Sequence, residues 1–227
     1  MVAVRRETQA SAGRIVGRNG RAVSGRLDSD DIMAAAAQEF AERGYRGTNL
    51  RHVSERLGVT RQALYYYYER KHDILKAIFM SFFDELESVV TQAAATTSDP
   101  AEKFRAMLRA HFEVVASKPF ISRIFVQEEA GLTLEDRAAV LLRRRHHQEV
   151  LVAAYEEGVA AGALKPINSQ LAVSIILGSG NWMYRWVRSN RQLTPAQVVT
   201  FAEQVLFSGY GADSRVTVSK RHKVSSR

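Results

Sequence analysis

Two short apolar-periodic runs meet at Gly58-Val59, and this junction constrains the fold more than any other stretch of the chain. Val53 and Leu57 stand four residues apart before it, a spacing that puts both on one side of an α-helix. A glycine directly after Leu57 lets the chain leave that helix in the left-handed region other residues avoid. Thr60 can then cap the next helix by accepting a backbone N–H. The junction predicts two short helices joined by a tight turn and packed through Val53, Leu57, Val59 and Leu64.

Similar start and stop signals recur along the chain. Ser29 precedes Asp30 and Asp31, suited to a helix N-terminus, and Gly44 ends the segment marked by Ile32, Ala36 and Phe40. Thr60 opens a helix to about residue 68, and a long one spans about 72–94. Asp99-Pro100-Ala101-Glu102 combines a cap, a first-turn proline and an acid three residues after the cap. That helix should end near Lys118-Pro119, and a short one should reach Glu129. Thr133 starts a helix that closes at Gly162, Asn168 starts one through Val187, and Thr194-Pro195-Ala196-Gln197 starts the last, ending at Gly209. No stretch alternates as a strand does, and no hairpin turn is evident. The expectation is an all-α chain of about nine helices. Residues 28–71 form a small helix-turn-helix domain and 72–211 a larger helical bundle.

Charge sorts with this division. Of a net +8, residues 1–27 carry six Arg against one acid, and 212–227 carry five Lys or Arg against one acid. Both stretches lack an apolar period, so they are expected to be disordered basic tails. Basic tails suit polyanions, although a solubilising role fits equally well. The chain has no cysteine, which excludes disulfides, thiolate metal sites and cysteine nucleophiles. Its start lacks the apolar core of a signal peptide. The most apolar run, 171–187, is interrupted by Gly178, Gly180, Asn181 and Arg185 and is too short for a comfortable membrane span. The expected setting is the cytoplasm, with no membrane partner.

The segment GYRGTNLRHVSERLGVTRQALYYYYERK, residues 44–71, carries the functional expectation. A capped second helix can point its first turn into a major groove. Arg61 there can bond guanine O6 and N7, and Gln62 adenine N6 and N7. Tyr65 and Tyr66 can reach phosphates, Lys71 can add a cation by the backbone, and Thr48 and Arg51 can hold the opposite flank. The plainer reading is a helical pair inside a bundle. In it, Tyr68 is core, four residues from Leu64, while Arg51 and Arg56 pair with Glu55 or Asp30. Residues 28–75 hold seven Lys or Arg and eight acids, so DNA binding requires the cations to be segregated onto one face.

This segment resembles the DNA-binding domain of the TetR family of repressors. The likeness runs from about residue 28 to residue 77 and includes AAAAQEFAERGYRGT, VSERLGV and LYYYYERKHDIL. The family usually reads Leu-Tyr-(Tyr/Trp)-His-Phe before a nearby lysine, where this chain has Tyr67 and Tyr68 in place of His and Phe. The resemblance implies that Thr48, Arg51, Thr60, Arg61, Gln62, Tyr65, Tyr66 and Lys71 occupy DNA-contacting positions. It also implies a homodimer formed by the last two long helices and a small-molecule effector within the larger domain. The Trp182…Arg185-Trp186…Leu193-Thr194-Pro195 pattern is similar to branches associated with fatty-acid or steroid catabolism, some of which sense acyl-CoA thioesters. The implied function is a repressor released from a palindromic operator by an apolar or amphipathic effector, such as a lipid or an acyl-CoA-type metabolite.

In the larger part, Leu171, Ile175 and Trp186, with Val198, Phe201, Val205 and Leu206, supply the expected dimer faces, and Gly178 to Gly180 permit close helix approach. Candidate cavity residues are Phe79, Phe82 and Phe83 on one helix, and Phe104, Met107, Leu108 and Phe112 on the next. Phe125, Tyr155, Trp182 and Met183 complete the set. The plainer reading of each is ordinary core. Arg143-Arg144-Arg145 could meet a CoA phosphate or form a solvated face with Arg145 pairing Glu149. Adjacent His146 and His147 lie about 100° apart on a helix and cannot easily share an ion, so no metal or cofactor is expected. No phosphate-binding loop or nucleophile elbow suggests an enzyme. The alternative to a ligand-responsive regulator is a constitutive or architectural DNA-binding protein with a filled bundle.

Overall fold

The computed structural model describes residues 27–189 and 193–208, and these are helical with short connections. In chain order the helices are α1 (Ser29–Gly47), α2 (Leu50–Leu57), α3 (Arg61–Tyr65), α4 (Lys71–Ala94), α5 (Pro100–Ser117) and α6 (Pro119–Gln127). A single 3-10 turn, Glu129–Gly131, precedes α7 (Leu134–Ala160), α8 (Ser169–Gly180), α9 (Met183–Ser189) and α10 (Pro195–Ser208). The expected helix from Asn168 to Val187 is interrupted at Asn181-Trp182, where the bonding shifts from Asn181 N–H to the Leu177 carbonyl to Trp182 N–H to the Ser179 carbonyl. Counting α8 and α9 as that one interrupted helix gives nine among the described residues. The expected tails lie outside the described residues except Leu27, which is buried and accepts a hydrogen bond from the Tyr67 hydroxyl. The packed part therefore begins one residue before the expected boundary.

Local chemistry starts most helices. The Asp28 side chain accepts from Asp31 N–H and caps α1, one residue before the expected cap. Asp99, Thr133 and Asn168 cap α5, α7 and α8 as their sequence contexts predict. Thr194 and Gln197 exchange hydrogen bonds at the start of α10. Each such cap stabilises its helix by about 1 kcal/mol. The cap of α2 is the reciprocal pair Asn49 and His52, and it carries no acidic signature of the usual kind.

The core is continuous. Ile32, Ala36 and Phe40 of α1, Val53 of α2 and Leu64 of α3 pack on one another and on Ile74 and Leu75 at the start of α4. Further along α4, Phe79, Phe82 and Phe83 surround Phe125 of α6, with ring centroids 5.1 to 5.3 Å away. Helix α4 packs on α1 at one end and on α5 and α7 along its length, while α6 lies against α1. The reading helices are therefore joined to the bundle by two elements, α4 and α6.

Candidate nucleic-acid interface and bundle cavity

The Gly58 turn sets the geometry of the reader. Gly58 has φ +69°, and Val59 N–H bonds back to the Ser54 carbonyl. Val59 is thereby buried between α2 and α3, while Thr60 turns outward and its hydroxyl accepts Ala63 N–H. Helix α3 has one buried side chain, Leu64. Arg61, Gln62, Tyr65 and Tyr66 are exposed, Tyr65 at 51% and Tyr66 at 80%. Arg61 and Gln62 make no side-chain hydrogen bond or ion pair among the described residues. Such a surface offers two hydrogen-bonding forks and two phenols to a groove.

Arg51, Arg56 and Arg43 are engaged within the fold. Arg51 pairs with Glu55 at 2.8 Å. Arg56 bonds Glu39 at 2.7 Å, Gln38 at 2.7 Å and Glu42 at 2.5 Å, not Asp30, and Arg43 also holds Glu39. Burial acts to raise the Glu39 pKa, but the hydrogen bonds and charge of Arg56 and Arg43 outweigh it and hold the carboxyl below its ordinary value. This pairing absorbs acidic charge on the α1 side and leaves Arg61 unneutralised on α3.

Two expected DNA-contacting side chains are turned inward. Thr48 is 2% exposed, and its hydroxyl donates to the Glu39 and Gly44 carbonyls, closing the end of α1. The Lys71 ammonium donates to the Tyr45 and Thr48 carbonyls, both at 2.7 Å, and sits 4.2 Å from the centre of the Tyr45 ring. Burial lowers the Lys71 pKa, with Glu128 opposing. Both residues brace the turn after α1, and sequence spacing gave no sign of these carbonyl partners. Tyr68 is half-buried and bonds the Ser29 hydroxyl at 2.5 Å, and Tyr67 bonds the Leu27 carbonyl. The two tyrosines standing where the resemblance leads one to expect His and Phe thus tie the α3–α4 turn to the start of α1.

Inside the bundle is a cavity of about 330 Å³ between α4, α5, α6, α7 and α8. Of the eleven residues expected to line it, Phe82, Phe83 and Phe125 do. Phe79, Phe104, Met107, Leu108, Phe112, Tyr155 and Met183 are packed as core, with Phe104 and Tyr155 edge-to-face at 5.2 Å. Trp182 is 45% exposed on the outside. Among the polar lining residues, Arg144 and His147 were singled out in sequence for other reasons, whereas His111, Ser122, Glu129 and Asn181 carry no local signal that marks them. Arg144 bonds Glu129 at 2.8 Å and lies 4.9 Å from the Phe125 ring centre. Arg143 instead turns to Asp84 and Glu87 of α4. Three consecutive arginines are thus not one cationic patch. His147 is turned inward and His146 outward toward Glu87, and no cluster of three metal-ligating side chains exists among the described residues.

Comparison with known proteins matches this arrangement. Residues 32–78 match the family of bacterial regulatory proteins, tetR family, and residues 97–210 match the tetracyclin repressor-like C-terminal domain. The chain belongs to the TetR family. It is therefore a DNA-binding transcriptional regulator of helix-turn-helix type, and its relatives are regulators rather than enzymes. The transcriptional repressor KstR2 of Mycolicibacterium smegmatis is 24% identical over 74% of this chain and 83% of its own. Among solved structures, PfmR of Thermus thermophilus superposes with a TM-score of 0.73 at 26% identity, covering 80% of this chain and 99% of that one. AibR, solved with isovaleryl coenzyme A and operator DNA, gives 0.69 at 26% identity, covering 79% and 97%.

On this TetR-family chain a second surface stands out at the C-terminal end. Leu171, Ile175, Trp186 and Phe201 are large, apolar and exposed. Val198, expected among them, is buried, and Val205 and Leu206 are half-buried. Helix α10 is fixed on α5 by the Arg109–Glu203 pair at 2.9 Å and by the Phe104–Phe207 edge contact. The inward and outward sides of α10 are thus distinct. No helix among the described residues is long and apolar enough to cross a membrane.

Proposed function

We propose that this protein is a homodimeric transcriptional repressor that reads a palindromic operator with α3 and leaves it when a small molecule occupies the bundle cavity. The observation that carries the reading is the α3 surface: Arg61, Gln62, Tyr65 and Tyr66 project to solvent while Leu64 alone anchors the helix. In the bound state, Arg61 and Gln62 meet base edges and the two phenols meet phosphates. Thr60 fixes the start of the helix, and Arg51, once released from Glu55, flanks it. The reading domain comprises 28–71 and the regulatory domain 72–211, and the site of action is the cytoplasm.

The exposed Leu171, Ile175, Trp186 and Phe201 form the dimer face, since an apolar patch of this kind marks an interaction surface. A two-fold dimer places its reading helices about 34–36 Å apart, one turn of duplex. A filled cavity favours a different tilt of α4, which runs from the cavity wall to Lys71, and so changes that spacing. The effector is an amphipathic or apolar metabolite of lipid or acyl-CoA type, supported by the apolar lining and by AibR, which was solved with an acyl-CoA and operator DNA. A cavity of this size favours ligand control over constitutive binding.

Selection of bound duplexes from a random pool tests the reading. A palindrome is expected, and Arg61→Ala should relax preference at one base pair per half-site at a cost of about 1–3 kcal/mol. No enriched sequence, or a weakening equal on all sequences, would refute base reading by Arg61.

A further inference from the structure

The cavity wall contains a histidine pair that the DNA-reading surface does not use. His111 of α5 and His147 of α7 stack with ring centres 5.1 Å apart and planes at 29°, and His147 Nε2 lies 3.0 Å from His111 Nδ1. Both are buried, and both line the cavity. The shared hydrogen bond occupies Nδ1 of His111. Its Nε2 is buried and has no partner among the described residues. That nitrogen lies against the α8 backbone: a Cβ placed on Gly180 would be 3.7 Å from it. The neighbouring Leu177, Gly178 and Asn181 line the same cavity.

A buried polar nitrogen left without a partner is destabilising, and native structures retain few of them. Here the position is held by two helices and a ring stack. We propose that the His111–His147 pair is the polar anchor of the cavity and binds a hydroxyl or carbonyl oxygen carried on an otherwise apolar, uncharged part of the effector. The proposal rests on the reading of this cavity as the effector site.

The charge state selects this chemistry. Burial drives the His111 pKa well below its ordinary value, with His147 adding to the shift, and burial takes His147 to about 4 although Glu87 opposes. The pair is neutral at pH 7, with one N–H between the two rings. If His111 donates from Nδ1, its Nε2 is an acceptor and takes a hydroxyl proton. If His147 donates from Nε2, His111 carries its proton on Nε2 and donates it to a hydroxyl or a carbonyl. A hydroxyl satisfies both arrangements, and a ketone the second. A carboxylate finds no free cation, because Arg144, the cavity's guanidinium, is bonded to Glu129. A cation finds a nitrogen already short of solvation. Apolar contact comes from Phe82, Phe83, Leu86 and Phe125.

Four probes on one skeleton test this with the full chain: decalin, 2-decalol, 2-decalone and decalin-2-carboxylate. Affinities are measured by ligand-observed NMR, alongside operator binding and melting. Wild-type protein is expected to bind 2-decalol about ten-fold tighter than decalin, 2-decalone at least three-fold tighter, and the carboxylate no better than decalin. His111→Phe should bring the alcohol-to-hydrocarbon ratio to about one, and His111→Gln should recover part of the preference. The wild-type ratios alone decide the matter if a variant does not fold. Binding of decalin without oxygen preference, or preference for the carboxylate, overturns the anchor and leaves the cavity as an effector site. Failure of every probe to bind overturns the anchor and the effector reading together, while operator selection continues to test DNA reading separately.

Discussion

The Glu128 carboxylate accepts a hydrogen bond from the Tyr45 backbone N–H at 3.2 Å, joining the end of α6 to the last turn of α1 across 83 residues of sequence. The next residue, Glu129, lines the cavity and pairs with Arg137 and Arg144. Two adjacent carboxylates therefore hold opposite ends of a short path. The Tyr45 carbonyl is in turn bonded by Lys71 at the start of α4. Removal of this link by Glu128→Ala should leave operator affinity within about three-fold of wild type. It should also reduce, by at least three-fold, the change in operator affinity that 2-decalol produces, a small part of the 1–3 kcal/mol typical of such coupling. Operator titrations with and without the alcohol check it. An undiminished ligand effect would place the coupling in α4 alone.

Acid should destabilise the fold through the histidine pair before it reaches the carboxylates. His147 is depressed to about 4 from 6.5 by burial, so the unfolded chain binds the proton first as pH falls. Stability attributable to His147 is complete above about pH 6.5 and decreases down to about pH 4, by roughly 3 kcal/mol. Glu39, Glu129 and Asp136 are held below their ordinary values, so their contributions disappear at lower pH as each is protonated in the folded state. Melting curves from pH 7.5 to 4.5 should fall for wild type and fall less for His147→Phe. Parallel profiles would remove His147 as the cause.

Charge placed on the exposed apolar face should separate protomers without unfolding them. Phe201 is 53% exposed, so Phe201→Glu disturbs the core little. Light scattering should show a shift from dimer to monomer, with operator affinity reduced at least ten-fold because each half-site is then bound alone. An unchanged dimer would move the interface elsewhere.

Deletion of residues 1–26 removes six Arg and one Glu but keeps Leu27, whose carbonyl receives the Tyr67 hydroxyl bond. Operator binding should weaken, and the slope of log affinity against log salt should fall by about 0.9 for each phosphate no longer neutralised. An unaltered slope would make that stretch a solubility device.

The helical architecture was legible because its signals are local. Asp99, Thr133, Asn168 and Thr194 each find their backbone partner within three residues, and Gly58 needs only its own φ to turn the chain. The exposed first turn of α3 was expected from the cap at Thr60, and the structure leaves Arg61, Gln62 and Tyr65 outside while Leu64 packs inward. The family likeness added the expected occupants of those surfaces, but not the fate of single side chains.

Those fates depend on packing. Thr48 and Lys71 carry groups suited to phosphates, yet carbonyls at the end of α1 claim both, for Thr48 from four and nine residues away and for Lys71 from 23 and 26. His147 sits beside an identical His146, and the packing of α7 on α5 alone decides which one is buried against His111. The cavity is likewise a product of packing: it is the volume five helices leave unfilled, so aromatic content could name Phe82, Phe83 and Phe125 but not the polar groups among them. Sequence determines where helices begin, end and turn, because those bonds close within a few residues. Tertiary structure decides which polar groups remain free to bind something else, because that depends on what the rest of the chain brings against them.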